Sequence, residues 1–193
     1  MKLEPFKLYH VYNQGNNKEV LFRQRADYLA FLKYVRKFIS EKVDILAYAL
    51  MPNHFHFLLN TTMESVATKK IGSLESTELQ NGVRLLLTSY AKIYNEKYDR
   101  SGSLFRQNTK YKMIESEEYA FICFNYIHQN PMSAQLCQKM EDWEFSSFRD
   151  YINQRKGTLV NKQMARELIG IDDEIVYKES YKIIPEWKWN RLY

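Results

Sequence analysis

His54 and His56, separated by a single phenylalanine, lie in the run Ala49-Leu50-Met51-Pro52-Asn53-His54-Phe55-His56-Phe57-Leu58-Leu59 of a chain with only four histidines. Alternate side chains of a β-strand share a face, so the two imidazoles would project together from Cα atoms roughly 6–7 Å apart. Imidazole nitrogens in that arrangement can converge on one divalent cation. Phe55, Phe57 and Leu59 would point the other way, into a core. The polar pair would then sit on a stiff apolar support, which a preorganised metal site requires. A His-x-His pair is also common by chance, and two histidines without a shared role are the plainer reading.

A second constellation lies downstream, in Tyr119-Ala120-Phe121-Ile122-Cys123-Phe124-Asn125-Tyr126-Ile127-His128-Gln129-Asn130-Pro131. Ser116 followed by Glu117 and Glu118 suits a helix N-terminus. Pro131 lacks a donor and disfavours helical geometry at the residue before it, so the sequence predicts a helix from Glu117 to Asn130. Tyr119, Ile122, Cys123, Tyr126, Ile127 and Asn130 share one face of that helix. Tyr126 and Asn130 are one turn apart on it. Taken alone, they read as a buried tyrosine and a C-terminal asparagine cap. His128, two positions past Tyr126, points elsewhere and reads as a packing or polar-surface residue.

Met51-Pro52-Asn53-His54-Phe55-His56 followed by Tyr126-Ile127-His128-Gln129-Asn130-Pro131 resembles the single-tyrosine HUH transposases, nearest to the branch associated with repetitive extragenic palindromes (REP). Further pieces agree in order. Tyr9 to Asn17 is similar to that family's opening strand and turn. Tyr90 to Asn95, then Gly102-Ser103-Leu104-Phe105, is similar to its middle helix and next strand, and Trp143 to Phe148 to the element after the tyrosine helix. The resemblance spans Tyr9 to Tyr151. Two departures bear on DNA contacts and leave the target sequence open. The family often carries an arginine near Asn108, and Pro131 to Gln135 stands where it has a Pro-Val-Arg-Ala-Gly-like run.

The resemblance implies metal-dependent nicking and strand transfer of single-stranded DNA. His54, His56 and the side-chain oxygen of Asn130 would hold a divalent ion, Mg²⁺ or Mn²⁺, that polarises a phosphodiester. Tyr126 would attack and become joined to the 5′-phosphate. His10, on the first strand, would either support that site from behind or be buried in the sheet. The substrate would be a hairpin or palindromic repeat, and the working unit a monomer or homodimer. With only a short link between Ile114 and Glu117, the site is expected to form within one chain. Two alternatives remain: a non-catalytic single-strand nucleic-acid-binding protein on the same fold, and a metallohydrolase that uses bound water.

Bulk properties are compatible. Net charge is +5 with a pI near 9.0, which favours an anionic partner but fits a solvated basic surface as well. Cations interleave with aromatics at Phe105-Arg106, Lys110-Tyr111-Lys112 and from Tyr151 to Lys156, a pattern suited to stacked bases and tracked phosphates. Arg106, Lys110, Lys112 and Arg149 are the candidate DNA contacts. Two cysteines, one on an apolar helix stripe, argue against a disulfide framework. Without a signal peptide or long apolar span, a soluble cytoplasmic protein is expected.

The elements that would carry these residues read as follows. Leu8 to Asn13 is a strand. Ala26 to Ser40 carries Leu29, Leu32, Val35 and Ile39 at helical spacing. Val43 to Leu50 and His54 to Asn60 are antiparallel strands joined by a short turn. Thr61 to Gln80 is a polar loop or insertion. Val83 to Asn95 is a helix, Leu104 to Ile114 a strand, and the tyrosine helix follows. This order predicts an α+β, ferredoxin-like antiparallel sheet with helices packed on one face. Residues 1–156 would form the catalytic domain and 157–193 a C-terminal extension of unassigned role.

Overall fold

The computed structural model describes residues 2–71, 74–172 and 175–189. Its strands are β1 (Leu8–Gln14), β2 (Val43–Met51), β3 (His54–Thr61), β4 (Thr68–Ile71), β5 (Leu74–Thr77) and β6 (Lys110–Ile114). Its helices are α1 (Arg25–Phe38), α2 (Met63–Val66), α3 (Glu78–Lys97), α4 (Glu117–Ser133), α5 (Phe148–Tyr151), α6 (Lys162–Ile169), α7 (Val176–Ser180) and α8 (Glu186–Trp189). Four strands form one sheet in the order β2-β3-β1-β6, antiparallel throughout. This is the expected ferredoxin-like arrangement.

Strand β3 is hydrogen-bonded on both sides, to β1 and β2. Its faces are set by alternation. Phe55 lies 5.2 Å, ring to ring, from Phe31 of α1, while its neighbour His56 faces Tyr126 of α4 at 5.7 Å. Helices α1 and α3 therefore cover one face, and α4 crosses the other, so one-face coverage holds for the first pair and not for the tyrosine helix. Gly82 lets α3 approach α1: a Cβ there would come within 2.4 Å of the Phe38 carbonyl oxygen.

Local signals explain the element ends. Asp27 accepts from the N–H groups of Arg23 and Gln24 at 2.9 and 3.1 Å and starts α1. Thr77 and Gln80 cap α3 reciprocally at 3.2 and 3.0 Å, which begins that helix earlier than the apolar stripe alone predicts. The buried stripe of α1 is Tyr28, Phe31 and Val35, whereas Leu29 is exposed. The helix turns its large aromatics inward, where Tyr28 stacks on Phe145 at 3.8 Å. The polar stretch after β3 contains α2 and the β4–β5 hairpin.

Two boundaries differ from expectation. The strand foreseen from Leu104 makes one isolated bridge, Gly15 to Phe105, and resumes only at Lys110. In between, Asn13 donates to the Arg106 carbonyl at 3.1 Å and to the Thr109 hydroxyl at 2.9 Å, closing a loop out of the sheet. Helix α4 runs through Pro131 to Ser133. The proline sits in its last turn, where few backbone bonds remain to be lost, and the Leu136 N–H donates back to the Pro131 carbonyl at 3.0 Å.

The C-terminal extension packs onto the rest of the chain. Asn161 donates to Asp44 of β2 at 2.8 Å. Gln129 of α4 donates to the carbonyls of Ser180 and Lys182 at 2.6 and 2.8 Å. The Ser180 hydroxyl donates to Asn125 at 2.9 Å. Helix α4 is thus enclosed between sheet and extension. Among the described residues no helix is long and apolar enough to cross a membrane.

Candidate active site

Strand β3 places His54 and His56 on the face that α4 covers, their ring centroids 5.0 Å apart. Tyr126 meets His56 edge-on at 5.7 Å, within one chain. Asn130, one turn later, brings its amide nitrogen to 3.4 Å from His56 Nε2, and its side chain also interacts with His54. The strand alternation and the helical spacing therefore bring the four residues of the sequence reading together.

The hydrogen bonds specify the tautomers. His54 Nδ1 lies 2.7 Å from the Asn53 side-chain oxygen, which can only accept, so His54 carries its proton on Nδ1. His56 Nδ1 lies 2.9 Å from His10 Nε2. With the Asn130 amide assigned as above, His56 Nε2 accepts and Nδ1 donates to His10. Burial pushes both pKa values down, His56 well below the ordinary value with His10 and His54 adding to the effect. For His54 the fall is partly offset by Asn130. Burial thus favours the neutral form of both rings.

His54 and His56 line a cleft of about 450 Å³ with Tyr12, Asn13, Gln14, Arg106, Asn108 and Lys110. Lys110 and Lys112 pair across the sheet with Tyr12 and His10. Cross-strand partners share a face, so both lysines rise on the histidine side. A second cavity, of about 500 Å³, flanks Tyr126 and Asn130 on the far side and is bounded by Tyr181 to Ile184 of the extension.

Among solved structures, a REP-associated tyrosine transposase bound to a REP hairpin is similar to this chain, with a TM-score of 0.58 and 15% identity over 83% of this chain and 91% of that one. The chain shares the fold of that transposase. A bacterial tRNA(His) guanylyltransferase-like protein in complex with ATP is a looser likeness, at TM-score 0.43 and 14% identity over 97% of this chain and 77% of its own. No protein-family model and no curated protein matches the sequence.

Relative to this fold the remaining candidates separate. Arg149 is tied to the chain itself: its guanidinium donates to the carbonyls of Glu141 and Asp142, and it does not line the histidine cleft. His128 is fully buried against Phe124, its Nε2 2.7 Å from the Ser147 hydroxyl, and burial holds its pKa at about 3. It is a packing residue. His10 is buried and in contact with His56. Tyr12 and Asn53 were not singled out. Tyr12 lies two residues past His10 and its ring is 5.8 Å from His56, so the same-face rule applied to β1 would have found it. Asn53 carries no signal beyond its place beside His54.

Proposed function

We propose that this protein nicks single-stranded DNA and transfers the strand through a covalent bond to Tyr126. The observation that carries the reading is the juxtaposition of the Tyr126 ring and the Asn130 amide with His56, beside His54, at histidines that open on a cation-flanked cleft. Among the described residues no group of three or more His, Cys, Asp or Glu side chains is placed to hold a metal. The donor set proposed here is His54 Nε2, His56 Nε2 and Asn130. Two neutral imidazoles and an amide oxygen suit Mn²⁺ or Mg²⁺. Asn130 would present its oxygen after a half-turn of the amide, since its nitrogen faces His56 in the present arrangement. A divalent ion held there would withdraw charge from a non-bridging phosphate oxygen.

The chain's own residues do the rest. Arg106, Lys110 and Lys112 draw the phosphate backbone along the cleft. Helix α4 holds the Tyr126 ring beside His56. The phenolic oxygen forms a bond to phosphorus as the bond to the 3′-oxygen breaks. The phenolic proton leaves to solvent, and the released 3′-oxygen gains one. Attack by a 3′-hydroxyl reverses the step, so no nucleotide cofactor is consumed. A hairpin is the proposed substrate, because the structural neighbour is bound to a REP hairpin.

The test compares wild type with Tyr126→Phe on an end-labelled single-stranded hairpin with Mn²⁺. Wild type should form an adduct that survives denaturation. The variant should bind the hairpin within about threefold of wild type and form none. An adduct in the variant, or binding by wild type with no adduct under any divalent ion, would overturn the reading. The latter result would favour a binding protein on this fold.

A further inference from the structure

An imidazole that ligates through Nε2 must keep its proton on Nδ1, and something must hold that proton and the ring plane. For His54 the holder is the neighbouring Asn53 oxygen, 2.7 Å away. For His56 it comes from another strand: His10 Nε2, 2.9 Å from His56 Nδ1. The register places His10 opposite Leu58 and Tyr12 opposite His56, so His10 reaches diagonally across the β1–β3 ladder. The two rings lie nearly parallel, 21° apart with centroids 5.0 Å apart. Both are almost fully buried, His10 at 0% and His56 at 1% exposure, so bulk water does not substitute for this contact.

We propose that His10 is a positioning residue that accepts the Nδ1 proton of His56 and thereby fixes the tautomer and plane that turn His56 Nε2 toward His54 and Asn130. The proposal deepens the metal-site reading above and rests on it for its consequence, not for its geometry. Groups that hold the second nitrogen of a ligating histidine are commonly carboxylates or carbonyls. An accepting imidazole is neutral and brings no negative charge into the cleft. The positive charge of a divalent ion would then act on the DNA phosphate undiminished.

The test uses His10→Leu, which removes the acceptor, and His10→Gln, whose side-chain oxygen can replace Nε2. Two readouts apply to the metal-free and Co²⁺-titrated full chain. Long-range ¹H–¹⁵N correlation of the histidine rings should show His56 as the Nδ1–H tautomer in wild type and His10→Gln, and a mixture in His10→Leu. Co²⁺ affinity, followed by visible absorption, should fall about 10–100-fold in His10→Leu and recover to within about threefold of wild type in His10→Gln. An unchanged His56 tautomer in His10→Leu, or a wild-type His56 protonated on Nε2, would overturn the proposal. Should wild type bind no Co²⁺ while its His56 tautomer is fixed and lost in His10→Leu, the metal reading fails and the positioning role stands. If His10→Leu does not fold, as judged by its amide spectrum, His10→Gln decides: a fixed Nδ1–H tautomer supports the role, and a mixture overturns it.

Discussion

The structure divides the four candidate DNA contacts into two that line the cleft, a third on the same side of the sheet and one elsewhere, and salt dependence should read that division directly. Arg106 and Lys110 line the histidine cleft, and Lys112 rises from the same face opposite His10. Each phosphate contact on a single strand contributes about 0.7 to the slope of log affinity against log salt. Three such contacts contribute about 2. Across a fourfold rise in salt each contact then accounts for about 2.6-fold in affinity, and the three together for about 18-fold. Replacing Arg106, Lys110 and Lys112 with alanine should therefore lower the slope by about 2, measured by fluorescence anisotropy of a labelled single-stranded oligonucleotide at several salt concentrations. Arg149→Ala should leave the slope unchanged, because that guanidinium is bonded to the carbonyls of Glu141 and Asp142. If Arg149→Ala lowers the slope by as much as one cleft cation while the triple variant does not move it, the placement of DNA along this cleft is wrong.

Three further outcomes follow from the fold and the site. Asp150 is buried and accepts from Arg155 at 2.7 and 2.8 Å and from the Gly157 N–H at 3.1 Å; Asp150→Ala should destabilise the protein by about 3–5 kcal/mol in urea unfolding, since it leaves a partly buried guanidinium without its counter-ion, and a loss below about 1 kcal/mol would refute that role. Burial opposes ionisation of Asp27, but hydrogen bonds from Lys97, Tyr98 and the N–H groups of Arg23 and Gln24 outweigh it and hold its carboxyl below the usual value. Its stabilisation is therefore complete above about pH 5 and lost as pH falls through the lowered folded value, so the advantage of wild type over Asp27→Asn should shrink in acid unfolding below about pH 4; an advantage that grows in acid would contradict this. Because Tyr126 meets His56 of its own chain, mixing His54→Ala with Tyr126→Phe protein should restore no cleavage, whereas partial recovery would mean that chains share their sites.

Much of this was legible in the sequence because the decisive pattern is local. Period-two alternation fixes His54 and His56 on one face and Phe55 on the other, whatever the strand pairs with. Helical spacing does the same for Tyr126 and Asn130. The ferredoxin-like order followed from the succession of apolar periods. What escaped depends on contacts distant along the chain. The side chain of Asn13 diverts residues 106–109 out of the sheet, and nothing near Leu104 signals it. Pro131 reads as a stop, yet it falls where the helix has little left to lose. The extension folds back over α4, where Gln129 donates to the carbonyls of Ser180 and Lys182, and no residue spacing signals it. Arg149 reads as one more cation beside aromatics, and only tertiary structure reveals that carbonyls of its own chain hold it. Sequence leaves His10 open to a supporting role, but its pairing with His56 of the neighbouring strand has no counterpart in residue spacing.

The most direct test of the central claim is to find which residue carries the DNA. The chain has fifteen tyrosines, so an adduct alone does not identify the nucleophile. Wild-type protein would be incubated with a single-stranded hairpin and Mn²⁺, denatured and digested with protease and nuclease, and the nucleotide-bearing peptide sequenced by mass spectrometry. The account predicts a 5′-linked nucleotide on Tyr126. A nucleotide on any other residue, or cleaved DNA with a free 5′-phosphate and no peptide attached, would contradict it.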